Sequence, residues 1–374
     1  MLRIGIVIAL VSLVQGCAAS RPDLLLNEES IFLGKARQLI TIGHRSGEGY
    51  FSADGSLFTF QAEAERDNPF YQIYLLQRAT GEITRISPGF GKTTCSWVHP
   101  SNDRVLFAST HSDPSSIQRQ ADELKARASN TSRPYQWDYD EQYDIYETMI
   151  DGGRTRNLTA VLGYDAEGSY SPDGKWIVFA SNRKAYSSRL SPSEVALRDR
   201  DPSYFMELYL MRSDGTQVRQ LTDTPGYDGG PFFSPRGDRI TWRRFSADGR
   251  TAEIFTMAVN GSDERQITHL GALSWAPFYH PSGAYLAFAT SVHGHRNFEL
   301  YIVDVEGCRE PVRVTFRDGF DGLPVFSPSG DEIAWASSRT EKGKTHIFIA
   351  EWNHTRALTA LAASSRRSQA ACQE

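Results

Sequence analysis

The sequence has 374 residues, of which 40% are hydrophobic and 23% charged, and its formal net charge is −5. With an isoelectric point near 6.0, we do not expect it to bind nucleic acid, because nucleic-acid-binding proteins need a basic surface to offset phosphate charge. The chain is also longer than one compact core usually holds. We therefore expect a repeat architecture, in which each unit packs only on its neighbours, and a monomer.

The first residues resemble an export signal. Arg3 precedes an apolar run of 11 residues, 4–14, which is shorter than the roughly 20 residues of a membrane-spanning helix. The run is followed by a sequence that resembles a bacterial lipobox ending at Cys17, whose thiol would receive a lipid. We predict a periplasmic protein anchored to the outer membrane through Cys17. Ordinary cleavage near Ala18 is the alternative, and it changes the anchoring but not the compartment. The predicted boundaries are a signal peptide over 1–17 and a linker over 18–30.

A turn motif recurs along the chain and is clearest in the Ser-Pro-Asp-Gly of residues 171–174. The turn-opening residues of its six copies are Ser52, His99, Ser171, Ser234, His280 and Ser327. Their spacings are 47, 72, 63, 46 and 47, which indicates a period of 46–47 residues with two insertions. The copies have short runs of β-favouring residues, enough for four strands in each copy except the sixth. The sequence therefore predicts an all-β fold, a six-bladed β-propeller with four antiparallel strands per blade.

The sixth copy lacks a fourth strand of its own. Residues 37–41 have the closing-strand pattern without any strands before them. We predict that this N-terminal strand pairs into the last blade and closes the ring, which removes the open sheet edges. Residues 356–359 are the rival closing strand. The predicted propeller covers 31–352, with insertions at about 112–143 and 184–205 and a C-terminal tail, partly disordered, over 353–374.

The series Ser-Pro-Asp-Gly, Ile-Tyr, Asp-Gly and Gln-Leu-Thr resembles the repeat of the TolB family of periplasmic propellers, over nearly the whole of 31–352. The resemblance implies a WD-repeat-like propeller that binds proteins in the cell envelope, such as a peptidoglycan-associated lipoprotein. Two features depart from the family: there is no room for the α/β domain that precedes the TolB propeller, and two copies carry insertions. The same repeat also forms the propellers of prolyl-oligopeptidase-like hydrolases and of some polysaccharide lyases.

Acidic residues stand at equal offsets before the turns. Asp165, Asp228 and Asp321 lie six positions before a turn-opening residue, and Glu48 and Glu167 lie four positions before one. Residues two apart on a strand face the same side, so we expect both sets to line the central channel. Such an acidic ring favours Ca²⁺ or a basic segment of a partner protein. The alternative is that each aspartate caps a loop.

The insertions and the histidines supply the remaining candidates. Aromatic residues of the first insertion, which could anchor a partner or fold back over the blade, are Tyr135, Trp137, Tyr139 and Tyr143. Weak candidates for metal ligands, which would need further ligands to converge on them, are His280, His293 and His295. We expect no cofactor apart from Ca²⁺ in the channel.

No motif in the sequence marks an enzyme: G-x-S-x-G, H-E-x-x-H, C-x-x-C, Walker and dinucleotide-binding patterns are all missing. The favoured hypothesis is a protein-binding scaffold of the bacterial envelope, recognising its partner through the channel face and the insertions. A metal-dependent carbohydrate lyase or hydrolase is one alternative. A propeller that gates a separate hydrolase is another.

Overall fold

The computed structural model describes residues 28–129, 139–187, 189–340 and 343–367. Within these residues β-strands dominate, and each copy of the repeat forms an antiparallel sheet unit. The strands of a unit follow one another in chain order, except that the fourth strand of the last unit comes from the N-terminal segment. The turn motif explains the first hairpin of each unit. In the turn at Ser171, the serine hydroxyl donates to Asp173 at 2.6 Å and accepts from the Trp176 amide at 3.0 Å. Gly174 has φ +70, which a glycine adopts without strain.

The strands of units 1 and 2 are β2 (Ser46–Phe51), β3 (Leu57–Ala62), β4 (Gln72–Gln77), β5 (Ile83–Arg85), then β6 (Thr93–Val98), β7 (Arg104–Ser109), β8 (Asp144–Met149) and β9 (Thr155–Asn157). Those of units 3 and 4 are β10 (Asp165–Tyr170), β11 (Trp176–Ser181), β12 (Phe205–Arg212), β13 (Arg219–Gln220), then β14 (Gly226–Phe233), β15 (Arg239–Phe245), β16 (Ala252–Ala258) and β17 (Arg265–Gln266). Those of units 5 and 6 are β18 (Ser274–Tyr279), β19 (Tyr285–Thr290), β20 (Glu299–Asp304), β21 (Val312–Arg313), then β22 (Asp321–Phe326), β23 (Glu332–Ser337), β24 (His346–Glu351) and β1 (Arg37–Gln38).

The units contact one another through their first strands. Each first strand contacts the first strand of the next unit, and β22 of unit 6 contacts β2 of unit 1. The N-terminal strand β1 pairs antiparallel with β24, with Arg37 opposite Ile349. Units 3 and 4 also share a short parallel pairing of β12 with β14, so that they form one eight-stranded sheet. These contacts and the alternation of hydrophobic strands with short turns give a β-propeller.

The hydrophobic core lies between the units. Leu106 and Ile145 of unit 2, for example, pack with Tyr170, Ile177 and Phe179 of unit 3, and all five are buried. Each sheet is therefore covered on its faces by its neighbours, which is why the strands read as near-continuous apolar runs.

Helices occupy the insertions. Helix α1 (Ser116–Ala128) lies between β7 and β8, and helix α2 (Pro192–Arg200) lies between β11 and β12. The α2 helix begins with a capping box, in which Ser191 and Glu194 bond each other's backbone amides. No helix among the described residues is long and apolar enough to cross a membrane.

The segment that the sequence predicts as a tail contains helix α3 (His354–Ala363). The helix buries Ala357 and Leu361 against the hydrophobic cluster of units 5 and 6. It includes residues 356–359, so these do not form the rival closing strand. The apolar spacing of Ala357 and Leu361, one helical turn apart, is the signal that the prediction overlooked. Residues 368–374 lie outside the described part of the chain.

Candidate functional site at the centre of the sheet units

A β-bulge interrupts the first strand of every sheet unit at the same place. In unit 3 the register shifts between Ala166 and Ser169, and Glu167 has φ +57. In four of the other five units the residue at this position also has a positive φ: Cys95, Gly230, Ala276 and Leu323. A bulge inserts one residue and so breaks the strict alternation of sides. Strict alternation therefore does not fix the side on which Glu167 lies relative to Asp165.

Each of the three predicted aspartates is bound by an arginine. Arg183 donates to Asp165 at 2.8 Å, and Arg339 donates to Asp321 at 2.6 Å. Asp321 also accepts a hydrogen bond from the indole of Trp335 at 3.1 Å. These are basic groups of the chain itself, so the aspartates are not a ring of free carboxylates.

In unit 4, Arg244 donates a hydrogen bond to each carboxylate oxygen of Asp228, at 2.8 and 2.7 Å. Burial raises the pKa of Asp228, and Arg244 lowers it in part. The same arginine lies over the rings of Trp242 and Phe255, at 5.4 and 4.7 Å. The corresponding arginines stack likewise, Arg183 over two rings of unit 3 and Arg339 over two rings of unit 6.

Sequence reasoning missed these arginines, although a signal was present. Arg183 and Arg339 both stand 12 positions after the turn-opening serine, two residues beyond the end of the second strand. Reading that offset together with the aspartate offset would have predicted the ion pairs in units 3 and 6.

Glu48 and Glu167, at the bulge position, belong to a second polar cluster. Glu48 accepts hydrogen bonds from the Tyr50 hydroxyl at 2.5 Å and from the Cys95 thiol at 3.3 Å. Burial raises the pKa of Glu48, the bond from Tyr50 lowers it in part, and the charge of Glu167 raises it further. Burial also raises the pKa of the Cys95 thiol well above its ordinary value, and the charge of Glu48 adds to this. The charge of Glu167 therefore lies close enough to Glu48 to affect the ionisation of Glu48.

Glu167 joins units 3 and 4. It accepts hydrogen bonds from the Tyr227 hydroxyl at 2.6 Å and from the guanidinium of Arg243 at 2.9 Å. Arg243 comes from the second strand of unit 4, opposite Gly229. It reaches past the first strand because Gly230 has no side chain, and a Cβ there would stand 2.5 Å from the guanidinium. The Gly-Gly pair in β14 was the sequence signal for this close approach.

Aromatic residues meet beside this polar cluster. Tyr50, Trp97, Phe232 and Phe278 come from units 1, 2, 4 and 5, each two positions before its turn-opening residue. All six ring pairs among them lie within 6.2 Å between centroids, the closest being Tyr50 and Trp97 at 4.7 Å. We call this group the aromatic plug, because first strands from opposite sides of the structure fill the space between them with it.

The two insertions lie at the same end of the sheet units. Both connect a second strand to a third, and in an antiparallel unit this end is also where the first strand begins. The insertions touch through the hydroxyls of Tyr139 and Tyr186, 2.5 Å apart. Helix α1 also reaches unit 1, where Arg127 donates to Glu63 at 3.3 Å. One face of the molecule therefore carries the insertions and the three Asp–Arg pairs. Glu48 and Glu167 lie in the half of their strands that is next to this face.

The predicted aromatic anchors divide into two groups. Tyr143 is buried and meets Tyr164 edge to face, with centroids 5.2 Å apart. Tyr139 stacks on the same ring at 5.9 Å. These two side chains pack the insertion onto the sheets. Tyr135 and Trp137 lie outside the described residues, and so does the predicted lipidation site, Cys17.

The candidate metal ligands do not gather. His280 contacts the Gly330 carbonyl at 3.3 Å and Ser282 at 2.8 Å, whereas His293 contacts the Tyr301 hydroxyl at 2.7 Å. These two histidines flank opposite ends of β19. His295 lies two residues after His293, and in the described part of the chain no three His, Cys, Asp or Glu residues form a group able to hold a metal ion.

Comparison by sequence finds little. No family model matches the chain. An uncharacterized protein of Agrobacterium fabrum is 32% identical over 109 residues, which make up 29% of this chain and 31% of that protein. The chain thus spans about a third of the length of the curated relative that it matches.

Comparison by structure finds propellers. A protein of Agrobacterium tumefaciens described as a TolB matches 85% of this chain and 94% of its own, with 18% identity and a TM-score of 0.56. TolB from Acinetobacter baumannii matches 83% of this chain and 64% of its own, with 16% identity and a TM-score of 0.51. An oligogalacturonate lyase in complex with manganese matches 86% and 94%, with 15% identity and a TM-score of 0.52. At such identities the likeness concerns the fold, and this chain has the TolB-like β-propeller fold.

Proposed function

We propose that the chain is an exported binding scaffold of the bacterial envelope, which recognises a segment of a partner protein at the centre of the face that carries the insertions. The scaffold is a ring of six blades, the six sheet units, closed by β1. Two observations support the ring: first strands contact one another from unit to unit, including β22 with β2, and β1 supplies the fourth strand of unit 6. Export to the periplasm and a lipid at Cys17 are proposed from the sequence pattern.

The observation that carries the proposal is the polar cluster beside the aromatic plug. Glu48, Glu167 and Arg243 come from three different units. A tyrosine hydroxyl donates to each glutamate, and Arg243 donates to Glu167. Their side chains are held on rigid strands, which favours precise recognition. The cluster has two carboxyl groups against one guanidinium, so it suits a segment that brings hydrogen-bond donors or a positive charge.

Ca²⁺ is not part of this proposal. The ion takes six to eight oxygen ligands, and arginines occupy the three aspartates and Glu167. In the described part of the chain no three His, Cys, Asp or Glu side chains form a group able to hold a metal ion. The proposal assigns no catalytic role to any residue.

The experiment is photo-crosslinking in intact envelopes, with the unaltered chain compared with Glu48→Gln. Because glutamine has nearly the same shape as glutamate and its amide oxygen can still accept the hydrogen bond from Tyr50, the fold should be preserved. The matched control is Glu82→Gln in the same unit, since Glu82 is exposed on the turn between β4 and β5, at the opposite end of the sheet. We expect one partner to be captured by the unaltered chain and the control, and lost from Glu48→Gln. Equal capture by all three would show that recognition lies elsewhere.

Metal analysis of the same purified protein tests the lyase alternative. Stoichiometric Mn²⁺ or Zn²⁺ would favour an enzyme over the scaffold. Co-purification of a hydrolase as the captured partner would favour the gating role.

A further inference from the structure

A cavity of about 530 Å³ lies between the N-terminal segment and units 5 and 6, away from the polar cluster. The segment is fixed against unit 6, because the Gly34 amide donates to the Glu351 carbonyl at 2.9 Å and Leu33 pairs with Trp352. One side of the cavity is apolar and is formed by Leu33, Ala36 and Phe348. The cavity is within the size range of small-molecule sites, roughly 300–1,000 Å³.

The charges that line the cavity are unequally compensated. Arg339 donates to Asp321 at 2.6 Å and to Glu29 at 3.4 Å, and Glu29 also accepts from the Phe316 amide at 2.9 Å. Arg339 and Glu29 are therefore already paired with groups of the chain itself. Lys35 and Arg317 also line the cavity.

Unlike Arg339 and Glu29, Lys35 and Arg317 are not paired with charged groups in the part of the chain that the structure describes. Both side chains are exposed, and neither has an ion pair or side-chain hydrogen bond within the described residues. Two cations beside one apolar wall are an arrangement that the fold itself does not use.

We propose that this cavity binds the phosphate group of an ester that also carries an apolar or glycerol-like part. Arg317 presents a planar fork that matches phosphate oxygens, and Lys35 adds a point charge. Leu33, Ala36 and Phe348 face the remainder of the ligand. The ligand has two sources with the same chemistry, the head group of an anionic phospholipid and a soluble phosphate ester. This site is independent of the proposed partner site.

The test uses the full chain with Cys17→Ser, so that no attached lipid holds it on a membrane. Glycerol 3-phosphate is titrated by calorimetry, and flotation measures binding to vesicles of phosphatidylglycerol, with phosphatidylcholine vesicles as the blank. The variant is Lys35→Gln with Arg317→Gln. Its control, with the same change in net charge, is Lys125→Gln with Arg250→Gln, at two exposed positions of α1 and unit 4.

We expect saturable binding of one of the two probes, weakened at least about tenfold in the cavity variant and unchanged in the control. Binding of glycerol 3-phosphate identifies a soluble ester, and binding of phosphatidylglycerol vesicles alone identifies a lipid head group. The proposal is overturned if neither probe binds at millimolar concentration. It is equally overturned if the control weakens binding as much as the cavity variant does.

Discussion

Arg243 donates to Glu167 at 2.9 Å from the neighbouring sheet unit, and it does so through the gap that Gly230 leaves in the first strand. The two side chains are only 13% and 11% exposed. The ion pair is therefore a contact between units at the centre of the structure, and it couples the position of β15 to that of β10.

The gap itself can be tested by adding a methyl group. Gly230→Ala places a Cβ 2.5 Å from the Arg243 guanidinium and forces a φ of +62 on a residue with a side chain. Gly152→Ala is the control, since Gly152 has φ +81 and nothing within 4 Å of its Cβ. We expect the control to cost about 1 kcal/mol in unfolding free energy from backbone strain alone. Gly230→Ala should cost about 1–3 kcal/mol more, because Arg243 must leave Glu167.

Urea denaturation measures both variants. Equal losses of stability would mean that Arg243 moves aside at no cost, and that the pair with Glu167 contributes little.

A double-mutant cycle measures the ion pair directly. Glu167→Gln and Arg243→Met each leave one buried group without its charged partner, and each should cost about 3 kcal/mol. The double variant should cost clearly less than the sum, because no uncompensated charge remains. A parallel cycle on Asp248 and Arg250, an exposed pair 3.6 Å apart, should show no measurable coupling. Additive losses in the Glu167 cycle would contradict a direct interaction.

The repeat made the fold readable from the sequence, because six spaced turns and alternating apolar runs dictate local hairpins and their packing. The pairing of residues 37–38 with β24 was likewise predicted, because these residues have the pattern of a fourth strand and the sixth copy lacks one. Position along the repeat did not reveal side-chain direction. The bulge interrupts the alternation at Glu167, and it depends on a positive φ at a single residue. A non-glycine residue such as Cys95 or Glu167 gives no sign of that φ in the sequence.

Ion pairs between residues that are distant in the sequence could not be predicted either. Arg243 lies 76 residues from Glu167, and no periodic signal links a second-strand arginine to the bulge of the previous unit. The glycines opposite Arg243 indicate that another group comes close to the backbone there, but they do not indicate which group it is.

The Asp–Arg pairs predict a loss of stability that a pure binding role would not produce. Asp321 and Arg339 have side chains only 3% and 6% exposed. Asp321→Asn leaves Arg339 buried with a weaker partner, and we expect a loss of about 3 kcal/mol in unfolding free energy. The control is Asp331→Asn, an exposed turn residue of the same sheet unit, which should change stability little. If Asp321→Asn is as stable as the control, the aspartate is free to serve as a ligand group, as the sequence offset first indicated.

Glu207 should give the protein a pH dependence of opposite sign to that of most carboxylates. Burial raises its pKa from 4.5 to about 8, although hydrogen bonds from Thr222 and the Thr224 amide lower it in part. In the unfolded chain the group ionises near 4.5, so between pH 4.5 and 8 the folded state holds a proton that the unfolded state has lost. This contribution to stability is complete below pH 4.5 and disappears as the pH rises through 8, with a slope of up to about 1.4 kcal/mol per pH unit.

Glu207→Gln removes the proton exchange, so its unfolding free energy should fall less steeply from pH 5 to 8 than that of the unaltered chain. Urea titrations at several pH values measure the slope, and the exposed Glu82→Gln should leave it unchanged. A slope that is the same in Glu207→Gln and the unaltered chain would mean that Glu207 ionises as readily in the folded state as in the unfolded one.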